Sequence, residues 1–128
     1  MAKLPPKLQD QLIKLQQLQQ KAEILVNQRI QLEAQLKETE RALAELDQLE
    51  ETNAVVYKSI GAILVKAKKE KVKEELDDRK ETLNMRIKTI MRQEERTKKE
   101  LEEKRKEIQA ALQQPQMGNV GGGFPGPM

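Results

Sequence analysis

The stretch Ala54–Val65, AVVYKSIGAILV, is the feature that most constrains what this chain can fold into. It gathers Val55, Val56, Tyr57, Ile60, Ile63 and Val65, β-branched and aromatic residues suited to a pleated surface, between two arms that carry few of them. Each arm, residues 4–51 and 66–114, is rich in Leu, Gln, Glu and Lys and has no Gly or Pro beyond the opening Pro5-Pro6. Inside the island, Val55–Lys58 and Ala62–Val65 flank Ser59-Ile60-Gly61, the pattern of a β-hairpin whose three-residue loop closes on glycine. Alternation puts Val55 and Tyr57 on one face and Val56 on the other, and sets Ile63 and Val65 against Ala62 and Leu64 in the return strand. Both faces are thus apolar. A lone two-stranded hairpin is marginal in water, so Val55, Val56, Tyr57, Ile60, Ile63, Leu64 and Val65 are expected to join hairpins of other chains. The competing reading is an apolar linker packed on its own arms.

The arms read as helix. Pro5-Pro6 suits a helix start, where a fixed φ is tolerated and a missing N–H costs nothing. From there Leu8, Leu15, Ala22, Arg29, Leu36 and Leu43 form one heptad row and Gln11, Leu18, Leu25, Leu32, Thr39 and Leu46 the other, nine of these twelve positions being apolar. Such a seam predicts a coiled coil. Glu33 and Lys37 make an i, i+4 pair outside it, and Asn53 is the expected stop. The second arm repeats the pattern on Leu76, Leu83, Ile90, Thr97, Lys104 and Ala111 with Lys80, Ile87, Glu94, Leu101 and Ile108, seven of eleven apolar. Acid-before-base pairs surround it: Glu94 with Lys98, Glu95 with Lys99, Glu100 with Lys104 and Glu102 with Lys106. Beyond Gln114, Pro115 and five glycines from Gly118 to Gly126 predict a disordered tail over 115–128.

Two helices of on the order of 65 to 70 Å either side of a turn can fold back on each other. Antiparallel pairing brings Leu8 near Leu112, Leu15 near Ile108 to Ala111, and Leu43 or Leu46 near Val72 to Leu76. It also brings Arg29 close to Glu94. Either these two satisfy each other and set the register, or both point to solvent. The boundaries expected are a first helix over 5–52, a hairpin over 54–65 and a second helix over 66–114, together one domain of residues 1–114.

Charged residues make up 35% and aromatic residues 2% of the 128, with a mean hydropathy of -0.79, too little apolar material for a globular core. With no Cys and no His the chain lacks the usual zinc ligands and the commonest general base. No GxxxxGK[ST] phosphate loop occurs, and Asp77-Asp78 and Glu94-Glu95 belong to charged helix faces, so neither catalysis nor a metal or cofactor is expected. No apolar run reaches the roughly 20 residues of a membrane span, and Met1–Pro6 lacks a signal-peptide core, so the expectation is cytoplasmic. The net charge of +3 is a small difference between 24 basic and 21 acidic groups. Nucleic-acid binding through Lys66, Lys68, Lys69, Lys71 and Lys73 is disfavoured by the interleaved and following acids Glu70, Glu74, Glu75, Asp77 and Asp78 and by the lack of aromatics for stacking.

Two heptad arms around Val55-Val56-Tyr57-Lys58-Ser59-Ile60-Gly61 and Ile63-Leu64-Val65-Lys66, followed by Lys69-Glu70, Glu74-Glu75-Leu76 and Arg92-Gln93-Glu94-Glu95, resemble the β-class subunit of archaeal prefoldin. The resemblance covers residues 5 to 112. Its most specific part is the Tyr-Lys-x-x-Gly hairpin between matched arms, and a single hairpin, where α-class subunits have two, points to the β class. The resemblance implies a mainly α fold: a long antiparallel coiled-coil hairpin whose central β-hairpin joins an intersubunit β-barrel. It further implies a hexamer of two α-class and four β-class subunits, an ATP-independent holdase that captures unfolded proteins at its coiled-coil tips and delivers them to a group II chaperonin. The residues themselves point to the same tips. Leu4, Leu12 and Ile13 add more apolar surface than Ile108, Ala111 and Leu112 can cover. Leu4, Leu8, Leu12, Ile13, Ile108 and Leu112 are therefore the candidate client-binding residues; the competing reading is that they only close the end of the coil or hold it against a neighbour. A coiled-coil oligomerisation scaffold without client activity is the alternative function. The Gly-rich tail from Gly118 to Met128 is not part of the family pattern; a flexible solvated tail is expected, the competing reading being a client or chaperonin contact through Phe124.

Overall fold

The computed structural model describes residues 4–50 and 54–113. In chain order it contains α1 (Pro6–Asp47), β1 (Val55–Ile60), β2 (Ile63–Lys68) and α2 (Lys69–Gln113), two long helices with a central antiparallel β-hairpin. Asn53 and the 115–128 tail lie outside the described residues.

Helix α1 starts as its prolines dictate. The Pro5 carbonyl accepts the first intrahelical bond from the Gln9 amide at 3.0 Å, and Gln9 Nε2 donates to the Leu4 carbonyl at 2.9 Å. Pro6 at the first helical position has no N–H to leave unpaired. The helix ends earlier than expected, at Asp47 rather than residue 52. Its last turn tightens there: the Gln48 amide is shared between the Ala44 and Glu45 carbonyls at 3.3 Å each, and Leu49 N donates to Leu46 O at 3.1 Å.

The heptad rows read from the sequence are the rows that pack. All twelve positions on α1 are buried or half-buried, and ten of the eleven on α2 are too; the exception is Ala111, exposed in the last turn. Polar members are accommodated individually. The Thr39 hydroxyl donates to the Gln35 carbonyl at 2.8 Å, the usual way a helical threonine satisfies itself at a buried site. Arg29 and Glu94 are both half-buried, and Arg29 donates to Glu33 at 3.1 Å. Glu33 therefore engages a cation four residues before it, where the sequence suggested Lys37 four residues after.

Packing divides the chain into two compact units. One takes residues 27–92, hairpin included. Its core is Leu32, Leu83 and Ile87, with Leu36 and Ile90 packed against them. Glu40 meets Lys80 at 3.6 Å and Asp47 meets Lys73 at 3.2 Å, so the helices run antiparallel here with Leu43 and Leu46 level with Val72 to Leu76, the expected register. The other unit takes the described residues up to Val26 and from Gln93 onward. Leu8, Leu25, Thr97 and Ile108 are its buried residues, Thr97 being the most enclosed at 1% exposure.

The hairpin differs from the expected one in its turn and its length. Ile60 pairs with Ile63, leaving a two-residue turn of Gly61 and Ala62 instead of three residues from Ser59 to Gly61. Gly61 has φ 57° and no other residue in the described chain has positive φ, the pattern of a type II′ turn with glycine at its first central position. That register matches all six residues of β1 with six of β2, from Val55 opposite Lys68 to Ile60 opposite Ile63. The second strand consequently continues through Lys66-Ala67-Lys68, and α2 begins at Lys69 rather than residue 66.

Candidate functional site

Pairing across the ladder sorts the hairpin into two faces. Val56, Lys58, Ile60, Ile63, Val65 and Ala67 share one; Val55, Tyr57, Ser59, Leu64, Lys66 and Lys68 share the other. On the first face Val56, Lys58, Val65 and Ala67 are half-buried. The second face is exposed throughout, Leu64 at 71% and Tyr57 at 65%.

The strand edges are open as well. The sheet has only these two strands among the described residues. Lys69 N donates to the Ala54 carbonyl at 2.9 Å, which makes Ala54 and Lys69 a hydrogen-bonded pair. Alternation along an antiparallel ladder then makes Val56/Ala67, Lys58/Val65 and Ile60/Ile63 bonded pairs too. The intervening residues, Val55, Tyr57 and Ser59 on one edge and Leu64, Lys66 and Lys68 on the other, aim their backbone N–H and C=O groups outward, where a further strand can take them.

A cluster of lysines ties the hairpin and the helix ends together, and sequence reasoning missed its role. Lys69, only 8% exposed, donates from Nζ to the Leu49 carbonyl at 2.7 Å while its own amide makes the last rung of the ladder. A cation there meets the carbonyl end of α1 and its negative dipole. One turn further, Lys73 reaches Asp47 at 3.2 Å, and the hydrogen bond to that carboxylate holds the Lys73 ammonium above its ordinary 10.5. Lys58 on β1 spans to Glu75 on α2, with both carboxylate oxygens at 3.0 Å. The signal was present: Lys69 and Lys73 stand seven residues before Leu76 and Lys80, on the seam rows themselves. Two lysines of the basic run, Lys69 and Lys73, are therefore already committed to Leu49 and Asp47 at and just past the end of α1.

The other candidate region is the pair of helix ends. Leu8 and Ile108 are buried and close the seam, whereas Leu4, Leu12, Ile13 and Leu112 are exposed, Leu112 at 62%. Ile24, Ile30, Met85 and Met91 are further exposed apolar residues, scattered along the helices. Among the described residues no group of acidic side chains could hold a metal ion, and no helix is long and apolar enough to cross a membrane.

Known proteins are similar to this chain along most of its length. A family model described as prefoldin subunit matches residues 9–115. The prefoldin subunit beta of Archaeoglobus fulgidus is 50% identical over 93 residues, which are 73% of this chain and 79% of that protein. The prefoldin subunit beta of Pyrococcus furiosus is 36% identical over 118 residues, 92% of this chain and all of that one. Among solved structures, the crystal structure of the prefoldin beta subunit from Thermococcus strain KS-1 superposes with a TM-score of 0.79 at 36% identity, covering 90% of this chain and 100% of that one.

Proposed function

The chain belongs to the prefoldin family of chaperone subunits, in its β class, and from that premise we propose that it serves as an ATP-independent holdase subunit. Four copies join two α-class subunits through their β-hairpins, and the assembly captures unfolded proteins at the free helix ends and passes them to a group II chaperonin in the cytoplasm. It carries out no catalysis. The observation that supports this reading best is the exposed hairpin face of Val55, Tyr57 and Leu64 beside two open strand edges, an arrangement that is marginal alone and is completed by other strands. Ile60, Ile63, Val56 and Val65 complete the proposed assembly element on the opposite face.

Client capture falls to the apolar side chains left outside the seam. Leu4, Leu12, Ile13 and Leu112 are exposed while Leu8 and Ile108 are not, so the binding set narrows to those four and Leu8 and Ile108 support it from below. Flexible aliphatic side chains suit varied partners because they repack around each apolar segment at little cost. The test is an aggregation assay on a denatured client, with this chain alone and with an α-class subunit. Suppression by the mixture that fails with L12S/I13S, while the assembly keeps its mass, supports the reading. Suppression undiminished in L12S/I13S removes the proposed patch, and no suppression by the wild-type mixture leaves an oligomerisation scaffold.

A further inference from the structure

The Lys58–Glu75 pair lies across the corner between hairpin and helix. The chain passes without interruption from Lys68 in β2 to Lys69 in α2, and the Lys69–Ala54 rung closes the ladder at that point. A two-stranded ribbon held only there can swing about the junction, because one attachment leaves its angle to α2 undetermined. Lys58 lies four residues along β1 from Ala54, about 13 Å at strand rise, and Glu75 lies six residues into α2, about 9 Å at helix rise. The ammonium and the carboxylate meet at 3.0 Å through both oxygens. Two separated attachments determine an angle that one cannot.

The position of Lys58 supports this role. It shares its face with Val56, Val65 and Ala67, all half-buried, so a charged residue stands where an apolar one would continue the face. Its reach to Glu75 crosses 17 residues of sequence, so it does not restate a local helical preference. With the strut in place this face turns toward α2, and the opposite face, with the outward edges of Val55, Tyr57 and Ser59, is left for neighbours.

The geometry points to Lys58 and Glu75 as a positioning pair that sets the angle of the hairpin on α2 and so governs how well the chain assembles, a role that rests on the assembly proposed above. Exposed ion pairs are modest, so removing this one alters assembly by about two- to fivefold rather than abolishing it. The experiment compares wild type, K58M, E75Q and the exchanged pair K58E/E75K in two measurements. In the isolated chain, hydrogen exchange of the 55–68 amides is followed by mass spectrometry; with an α-class subunit, the concentration for half-assembly is found by sedimentation. Both single variants are expected to exchange faster in the hairpin and to need about two- to fivefold more protein to assemble, and the exchanged pair to return both values toward wild type. Single variants indistinguishable from wild type in both measurements, or an exchanged pair no better than the singles, overturn the strut. Failure of the wild type itself to assemble with the partner counts against the assembly reading, and the exchange measurement then still decides whether the strut holds the hairpin.

Discussion

Gly61 holds φ 57° at the first central position of the hairpin turn, where a side chain costs conformational energy although nothing lies within 4 Å of an added Cβ. The penalty of Gly61→Ala is therefore backbone strain rather than a clash, about 1 kcal/mol by thermal unfolding. Lys69 carries a different load, since its ammonium is the donor for the Leu49 carbonyl. Lys69→Met keeps the stem and removes the donor, and is expected to lower stability by about 1–2 kcal/mol in urea unfolding. Lys73 gives a pH test. Its ammonium titrates above 10.5 because Asp47 holds it, so the pair's contribution is complete below 10.5 and is lost as pH rises through the raised value of the folded chain. Asp47→Asn should flatten that alkaline loss of stability in melts recorded from pH 8 upward; an unchanged alkaline profile would show that Lys73 gains nothing from Asp47.

At the scale of elements, the helices were legible in the sequence because periodicity is a strong signal: every row position on α1, from Leu8 to Leu46, is withdrawn from solvent. The hairpin was legible as an element but not in register. Placing Gly61 last in a three-residue loop and first in a two-residue turn both satisfy the preference of glycine for positive φ, and only cross-strand pairing decides between them. The end of α1 was missed for a related reason, since its closing bonds among Ala44, Glu45, Leu46, Gln48 and Leu49 use backbone alone and leave no side-chain signature. The tip residues divided similarly: Leu8 lies on a seam row and is buried, while Leu12 and Ile13 lie off it and are exposed. Packing at the seam predicts that Leu83→Ala, at a site 3% exposed, destabilises the chain by about 2–5 kcal/mol in denaturant unfolding. Leu64→Asp, on the exposed hairpin face, should leave helical circular dichroism intact and reduce assembly in sedimentation.

For the whole molecule, apolar surface that the single chain leaves exposed has two proposed uses. Around the hairpin it accompanies open backbone edges, which makes it suited to permanent strand pairing; at the helix ends Leu4, Leu12, Ile13 and Leu112 are exposed aliphatic side chains away from any strand edge, which suits reversible contact with varied sequences. Charge balance is compatible with this division, since a net +3 spread over mixed acids and bases gives no strong field to select polyanions. The proposed role of the hairpin as an assembly element is decided by the mass of the purified protein, alone and mixed with a two-hairpin α-class subunit. The mixture is expected to hold a complex of two α-class subunits and four copies of this 14.7 kDa chain; a chain that stays monomeric in both samples would contradict that role.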